Sequence, residues 1–344
     1  SVSVSGNVYT FDSSETITVD SDDTATASGS GTNTVTIGSA AADVTSITLN
    51  MGDGNDEVTV QSTDDLLTFD GQGDTDRVVQ SGIAGNQTLT DGSLTGTAGG
   101  VNLTSVEEAN LAGDGGGNVL DASGFTLGSV TLTGSGGGDQ LIAGAGDFDD
   151  NLVGGSGDDT VTGADAATTW TISGTNSGDA VVTGRGNDTF SGVENLSGGS
   201  GTDAFDINGG TLTGATNGGG GTNSLQLDDV VNAVTATVAN GGTATGTGGF
   251  TNINGTITGG SNTDIFDLAG GSLGAINGGG GTNSLQLDDT ANTVEVTGTD
   301  SGTATGTGGF SNINGSVTGG SSTDDFDLNS GTLTGAINGG GGTD

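Results

Sequence analysis

GGGGTNSLQLDD stands at residues 218–229 and again at 278–289. Each copy is a run of glycines, an Asn, and then an alternation. Leu225 and Leu227 are separated by Gln226, as Leu285 and Leu287 are by Gln286. Alternation of period 2 puts the leucines on one face of an extended chain and the glutamine on the other, which is the pattern of a strand with one buried side. No segment carries a period of 3.6, and glycine is spread throughout, so helical repeats are excluded.

The same template extends outward. GTATGTGGF occurs at 242–250 and 302–310, and GGSNTDIFDL (259–268) recurs as GGSSTDDFDL (319–328). These copies lie 60 residues apart, while GGSGTDAFDI (198–207) precedes GGGGTNSLQL (218–227) by 20. The turn can be followed by its Asx residue through Asp56, Asp76, Asn118, Asp139, Asp159, Asp188, Asp203, Asn223, Asp264, Asn283, Asp324 and Asp344. Most gaps are 19–21 residues or about twice that. A period near 20 with short alternating runs reads as a solenoid. Where the gap is double, an intervening coil is expected to turn at a degenerate sequence such as NGGTATG (240–246), giving some three coils per long repeat. Each coil contributes two or three inward apolar residues. Phe205, Phe266 and Phe326 fall at equivalent positions, as do Phe190, Phe250 and Phe310.

Composition agrees with a narrow core. The chain has 344 residues, 74 of them Gly, with 29% hydrophobic and 3% aromatic residues. A thin stacked core needs few apolar side chains, because coil-to-coil hydrogen bonds satisfy the backbone. Glycine supplies positive φ at corners, and the absence of proline suits strands that all sit in one ladder. Asp and Glu number 43 against two basic residues, Arg77 and Arg185, for a formal net charge of −41. That balance argues against nucleic acid and against an anionic membrane surface as partners. With no His or Cys there is no imidazole base, no thiol nucleophile and no ordinary zinc site. No apolar run approaches the roughly 20 residues of a membrane span. SVSVSG (1–6) carries neither a basic nor an apolar signal region.

The turn itself carries chemistry. GGSGDDTVT (154–162) matches the nonapeptide G-G-x-G-x-D-x-U-x at every fixed position. Asp150 and Leu152 precede Asp159 and Val161 by one such unit, nine residues. GDGNDEV (52–58), GRGNDTF (184–190) and GGSGTDAF (198–205) match in part. The chain resembles the RTX, or haemolysin-type, calcium-binding repeat family. It is also similar to the calcium-dependent RTX solenoids of bacterial ice-binding adhesins, whose turn GRGND and GDGND approach. The resemblance implies an all-β, right-handed parallel β-helix of the β-roll kind, with about 20 residues per coil and Ca²⁺ as cofactor. It makes Asp56, Asp159, Asp188 and Asp203 the first expected carboxylate ligands, with Asp139 and Asp150 next. Calcium takes 6–8 oxygens, and glycine corners let backbone carbonyls join the carboxylate. Asn118, Asn223 and Asn283 remove the charge at the Asx position, and the fourth motif position is Asp74, Asn262 or Ser322 in other copies. Residues 204–344 are therefore expected to keep the coil with uncharged Asn ladders.

This organisation divides into a β-strand region or cap (1–50), calcium-binding coils (51–203) and long repeats continuing the solenoid (204–344). The function expected is structural and extracellular: a filament, sheath, surface layer or adhesin stalk. Ser1-Val2-Ser3-Val4-Ser5 has the alternation that would complete a coil after Asp344, so head-to-tail self-association is expected, with other surface proteins or polysaccharides as further partners. Two alternatives compete with this reading. Ice binding would use the Thr-x-Thr pairs at 131/133, 211/213, 256/258 and 332/334. An enzyme would use carboxylate pairs such as Asp149–Asp150, Asp158–Asp159 or Asp228–Asp229, which read better as turn residues. Sequons at Asn86, Asn102, Asn187, Asn195, Asn254 and Asn314 are expected from so Asn- and Thr-rich a composition. Trp170 and Tyr9 read as core or cap residues.

Overall fold

The computed structural model describes residues 48–60, 67–96 and 100–344 in full, and before residue 48 and at residue 66 the backbone of strands only. The described residues form strands and turns with no helix. The chain divides into two compact units, Ser1–Thr162 with Gly184–Val193, and Gly163–Thr183 with Glu194–Asp344. Each is a parallel β-solenoid in which successive strands alternate between two sheets.

In the first unit the inward positions form columns. Val58, Val78, Ala109 and Val130 are paired in register, and so are Leu111, Leu132, Leu152 and Phe190. All eight are buried. The opposite sheet stacks Leu49, Phe69 and Leu103, and then Leu120, Leu141 and Val161. The second unit stacks Trp170, Phe205, Leu225, Ile257, Ile276 and Phe310 in one column. Trp170 is 1% exposed and stacks on Phe205 with centroids 5.9 Å apart and planes within 3°, so Trp170 is a core residue. Side chains of one level meet those of the next along the hydrogen-bond direction, where neighbouring strands lie about 4.8 Å apart. Repetition of one apolar residue per level is thus enough to build a continuous core.

The double gaps have a different cause from the one expected. Residues 240–246 are not a degenerate coil corner. Asn232–Val238 and Gly241–Ala244 form an antiparallel hairpin, and Gly249–Thr251 completes a three-stranded meander. Thr293–Gly298, Ser301–Ala304 and Phe310–Ser311 repeat it, and Gln87–Thr90, Ser93–Thr95 and Gly100–Thr104 form one in the first unit. In each meander the last strand pairs in parallel with the preceding coil (Thr216 with Phe250) and the first strand with the following coil (Val234 with Phe266). The physical reason lies at the tip. Thr168–Gly174 and Ser177–Val182 form a further hairpin, and at the tips of this hairpin and of the two second-unit meanders Asn176, Asn240 and Asp300 adopt φ of 53°, 53° and 51°, left-handed values that Asx residues tolerate. Each tip N–H donates to the following coil, at Thr211, Ser272 and Thr332 carbonyls, over 2.7–2.8 Å.

Between Ser224–Gln226 and its copy Ser284–Gln286 the chain passes one meander and the single strands Thr256–Thr258, Asp264–Asp267 and Ala275–Asn277. Counting the starting strand, that is an odd number of sheet visits. The two identical SLQ strands therefore lie in opposite sheets, one pairing with Thr256–Thr258 and the other with Asp264–Asp267. The long repeat is two and a half circuits, not three. Its meanders also alternate between sheets, so the extra strands on one face of this unit are matched on the other. In the strand region at the start of the chain, Ser3–Ser5 pairs antiparallel with Val8–Thr10. The expected join to Asp344 involves Ser1 and Val2, which lie outside the described residues, as does the side chain of Tyr9.

Candidate functional site: the Asx corner

The recurrent coil corner is built from a glycine and, five residues later, an Asp or Asn whose side chain folds back over it, whereas Asp56, Asp150 and Asp188 follow Met51, Ala145 and Thr183 at that spacing. A Cβ placed on Gly134 would lie 2.3 Å from Asp139 Oδ2, and one on Gly198 would lie 2.2 Å from Asp203 Oδ2. The same relation joins Gly71 to Asp76, Gly259 to Asp264 and Gly319 to Asp324. This is why the motif needs glycine there: the carboxylate occupies the space of a side chain.

The other side-chain oxygen makes the vertical connection. It accepts the backbone N–H of the Asx residue on the preceding coil. Asn118 N–H donates to Asp139 Oδ1 at 2.7 Å, and Asp139 N–H to Asp159 Oδ1 at 2.8 Å. A second ladder on the opposite corner runs from Val130 N–H to Asp150 (2.7 Å) and from Asp150 N–H to Asp188 (3.0 Å). Asp56 N–H donates to Asp76 at 2.8 Å, and Asp76 N–H to Glu107 at 3.0 Å. In the second unit Thr168 N–H bonds Asp203, Asp203 N–H bonds Asn223, and Asn223 N–H bonds Asn254. A further ladder links Asn232, Asp264, Asn283 and Asn314 in the same way. The corner N–H groups in these ladders, which no strand satisfies, are thus paired by side chains.

The expected ligands are distributed over these ladders. Asp139 and Asp159 share one, Asp150 and Asp188 another, and Asp56 is joined to Asp76. Asp203 stands in the second unit between Thr168 and Asn223. All six are at most 8% exposed. Their chemistry differs. Asp150 is the most fully engaged, because Gly144 N–H donates to its Oδ2 at 2.8 Å while Val130 N–H holds Oδ1. Asp139 and Asp203 each retain a buried Oδ2 with no hydrogen-bond donor. Burial raises the Asp139, Asp150 and Asp203 carboxyls above the ordinary range, with the N–H donors opposing. Burial and the nearby Asp150 charge push Asp188 up to about 7, against the opposing pull of Arg185. Burial likewise takes Asp76 to about 7, with Asp56 and Glu107 adding repulsion.

The corner fits a hard cation by its donor type. A Cβ on Gly134 would meet Asp139 Oδ2 at 2.3 Å and the Gly154 carbonyl at 2.5 Å, so a carboxylate oxygen and a carbonyl of the next coil share the corner. Oxygen-only sets of this kind suit calcium. Among the described residues no three carboxylates converge on one point. A cation here would therefore draw at most two carboxylates and complete its shell from carbonyls and water. An open groove of about 340 Å³ runs along this corner past Asn118, Asp139, Asp158 and Thr160.

Some members were not apparent from the repeat pattern. Asn232 and Asn292 lack the preceding glycine, yet each donates both its backbone N–H and its Nδ2 to the Asp one level on, Asp264 and Asp324. Their only signal is an identical offset from those two aspartates in both copies. Asn254 and Asn314 read as sequons but are rungs, accepting the Asn223 and Asn283 N–H groups and donating Nδ2 to the Gly221 and Gly281 carbonyls at 2.8 Å. No protein-family model and no curated protein matches the chain.

Proposed function

We propose that the chain is an extracellular structural repeat protein, a β-solenoid whose acidic corners take Ca²⁺ and which serves as part of a cell-surface filament, sheath, surface layer or adhesin stalk. The observation that carries this reading is the Asx ladder. One device is used again and again to join a coil to the next, and it leaves buried carboxylate oxygens facing carbonyls. Asp139, Asp159 and Asp203 are the corner carboxylates best suited to hold the ion, with Asp56 and Asp188 beside them. Asp150 is least available, since backbone N–H groups occupy both its oxygens. The bound ion would supply positive charge at corners such as Asp139 and Asp203, whereas Asp150 and Asp188 have Arg185 nearby. A net charge of −41 makes such neutralisation favourable for a compact state.

The alternatives find less support. Thr256 stacks on Ala275 and Thr258 on Asn277, while Thr131 and Thr133 stack on Asn151 and Val153. No Thr-x-Thr pair among these continues into its neighbour as a flat ice-matching face requires. In the pairs Asp149–Asp150 and Asp158–Asp159 one carboxylate points inward and its neighbour outward, so neither pair shares a cleft. Calorimetric calcium titration, with circular dichroism before and after chelation, tests the proposal. Saturable binding with a rise in melting temperature is expected; unchanged melting on chelation would remove calcium from it. Self-association belongs to the same reading, and electron microscopy of calcium-loaded protein showing only separate particles would count against it.

A further inference from the structure

The second unit contains no Lys, Arg or His, since Arg77 and Arg185 both belong to the first. Its buried Asp264 is 0% exposed. Oδ1 accepts the Asn232 backbone N–H at 2.9 Å and the Asn232 Nδ2 at 2.8 Å. Oδ2 is buried with no donor at full hydrogen-bond geometry, although the Gly260 backbone N–H lies close enough to favour the charged form. The charged groups near it are all acidic: Asp228 and Asp229 on the preceding coil and Asp267 on its own strand, while 278–286 of the following coil brings none. An ionised carboxylate so placed would be a buried charge without a counter-charge.

The next rung shows what the position accommodates. Asn283 places Nδ2 where Asp264 places Oδ2. A Cβ on Gly278 would meet Asn283 Nδ2 at 2.6 Å and the Asn312 carbonyl at 2.3 Å; one on Gly259 would meet Asp264 Oδ2 at 2.2 Å and the Gly278 carbonyl at 2.7 Å. Asn283 Nδ2 donates to the Gly280 and Asn312 carbonyls at 2.8 and 3.1 Å. The site is therefore one for a donor, and Asn223 fills it identically, donating to Gly220 and Asn252 carbonyls at 2.8 and 3.1 Å. A carboxylate has no proton to give there; a carboxylic acid has one.

We propose that Asp264 is a carboxylic acid in the folded chain, its Oδ2 hydroxyl donating to the Gly278 carbonyl as the Asn283 amide donates to Asn312. The ladder of this unit is then uncharged at that rung, and loss of the proton as pH rises unpairs it. Burial acts in the same direction and outweighs the Asn232 and Gly260 hydrogen bonds that favour the charged form, while Asp229 adds repulsion, so the carboxyl is raised on balance. The inference is independent of the calcium reading, which concerns other aspartates.

The test is a carboxyl ¹³C NMR titration of the full chain in EDTA, with the Asp264 signal assigned by its loss in Asp264→Asn. A midpoint well above the ordinary value of about 3.9 is expected, and adding excess calcium should leave it in place. At pH 7.5 in EDTA, Asp264→Asn should melt at or above the wild-type temperature, and Asp264→Ala below it. A midpoint in the ordinary range, or an Asn variant melting as low as the Ala variant, would overturn the assignment. A midpoint that falls when calcium is added would overturn it in favour of a bound metal.

Discussion

The corner at Gly134–Asp139 in the first unit and the corner at Gly218–Asn223 in the second share one backbone design and differ in a single side-chain group. Both side chains fold over the glycine and both pair vertically through Oδ1. At Asn223 the remaining group is an amide that donates to two carbonyls. At Asp139 it is an oxygen with no donor. The fold therefore depends on the glycine and on Oδ1, whereas the state of the corner depends on the second atom. An Asn corner is complete in itself. An Asp corner whose Oδ2 lacks a donor, as at Asp139, needs a proton or a cation, and so answers to the solution around it.

The largest expected effect tests the shared part. Gly198→Ala and Gly218→Ala each place a Cβ about where the folded-back side chain sits, 2.2 Å from Asp203 Oδ2 and 2.5 Å from Asn223 Nδ2. Next-coil carbonyls at 2.6 and 2.3 Å block relief on the other side. Each substitution should cost about 3 kcal/mol or more in denaturant unfolding, the range of severe overpacking. If either costs less than about 0.5 kcal/mol, the two corners are not built alike.

The next effect separates them. Asp76 and Asp188 have folded-state values of about 7 against 3.8 for the free side chain. Between those values the folded chain holds more protons than the unfolded chain, so unfolding free energy falls as pH rises. The stabilisation is fully present below about 3.8 and lost through about 7, on the order of a few kcal/mol in all. In EDTA the protein should melt higher at pH 5.5 than at pH 8, and calcium at pH 8 should recover much of the difference. Thermal scans at those two values, with and without calcium, decide it. A chelated protein with flat stability across this window would mean that the Asp corners are as self-sufficient as the Asn corners.

Interconversion gives a smaller effect. Asn223→Asp removes two donated hydrogen bonds and should lower stability by about 1–3 kcal/mol at pH 7.5 in EDTA. Lowering the pH or adding calcium should restore it. Equal loss under all three conditions would show that the corner cannot exchange an amide for an acid or an ion.

Much of this was legible in the sequence. Leu225 and Leu227 give the strand and its buried face, and the spacing of Asp139, Asp159, Asp203 and Asn223 gives the level-to-level register. The donor pattern of the corner was not legible, because an Asx residue in a glycine turn has the same sequence signature whether its second atom faces a carbonyl, a metal or water. The meanders were missed for a physical reason too. Asn240-Gly241 flanked by Thr-rich alternation is a hairpin signal, but in a chain where every corner is Asx and Gly the same dipeptide also reads as a coil turn. Only pairing over a longer range, Thr216 with Phe250 instead of a residue 20 on, separates the two.

The smallest expected effect concerns an outward rung of the first unit. Glu57, Arg77 and Glu108 are paired in register on adjacent strands. The guanidinium donates to Glu108 through Nε at 2.8 Å and through a second short contact from Nη2, and it lies 3.6 Å from Glu57. Here stacked acids are separated by a cation that the chain itself supplies; among the buried corners only Asp150 and Asp188 have an arginine, Arg185, acting on them. The side chain is 40% exposed, so solvent screens the pair, and ion pairs of this kind contribute up to about 1 kcal/mol. Arg77→Gln should therefore cost less than that in low salt and almost nothing in high salt. A loss as large as that of Asn223→Asp, persisting at high salt, would place surface charge pairing on a level with the corner ladder in holding coils together.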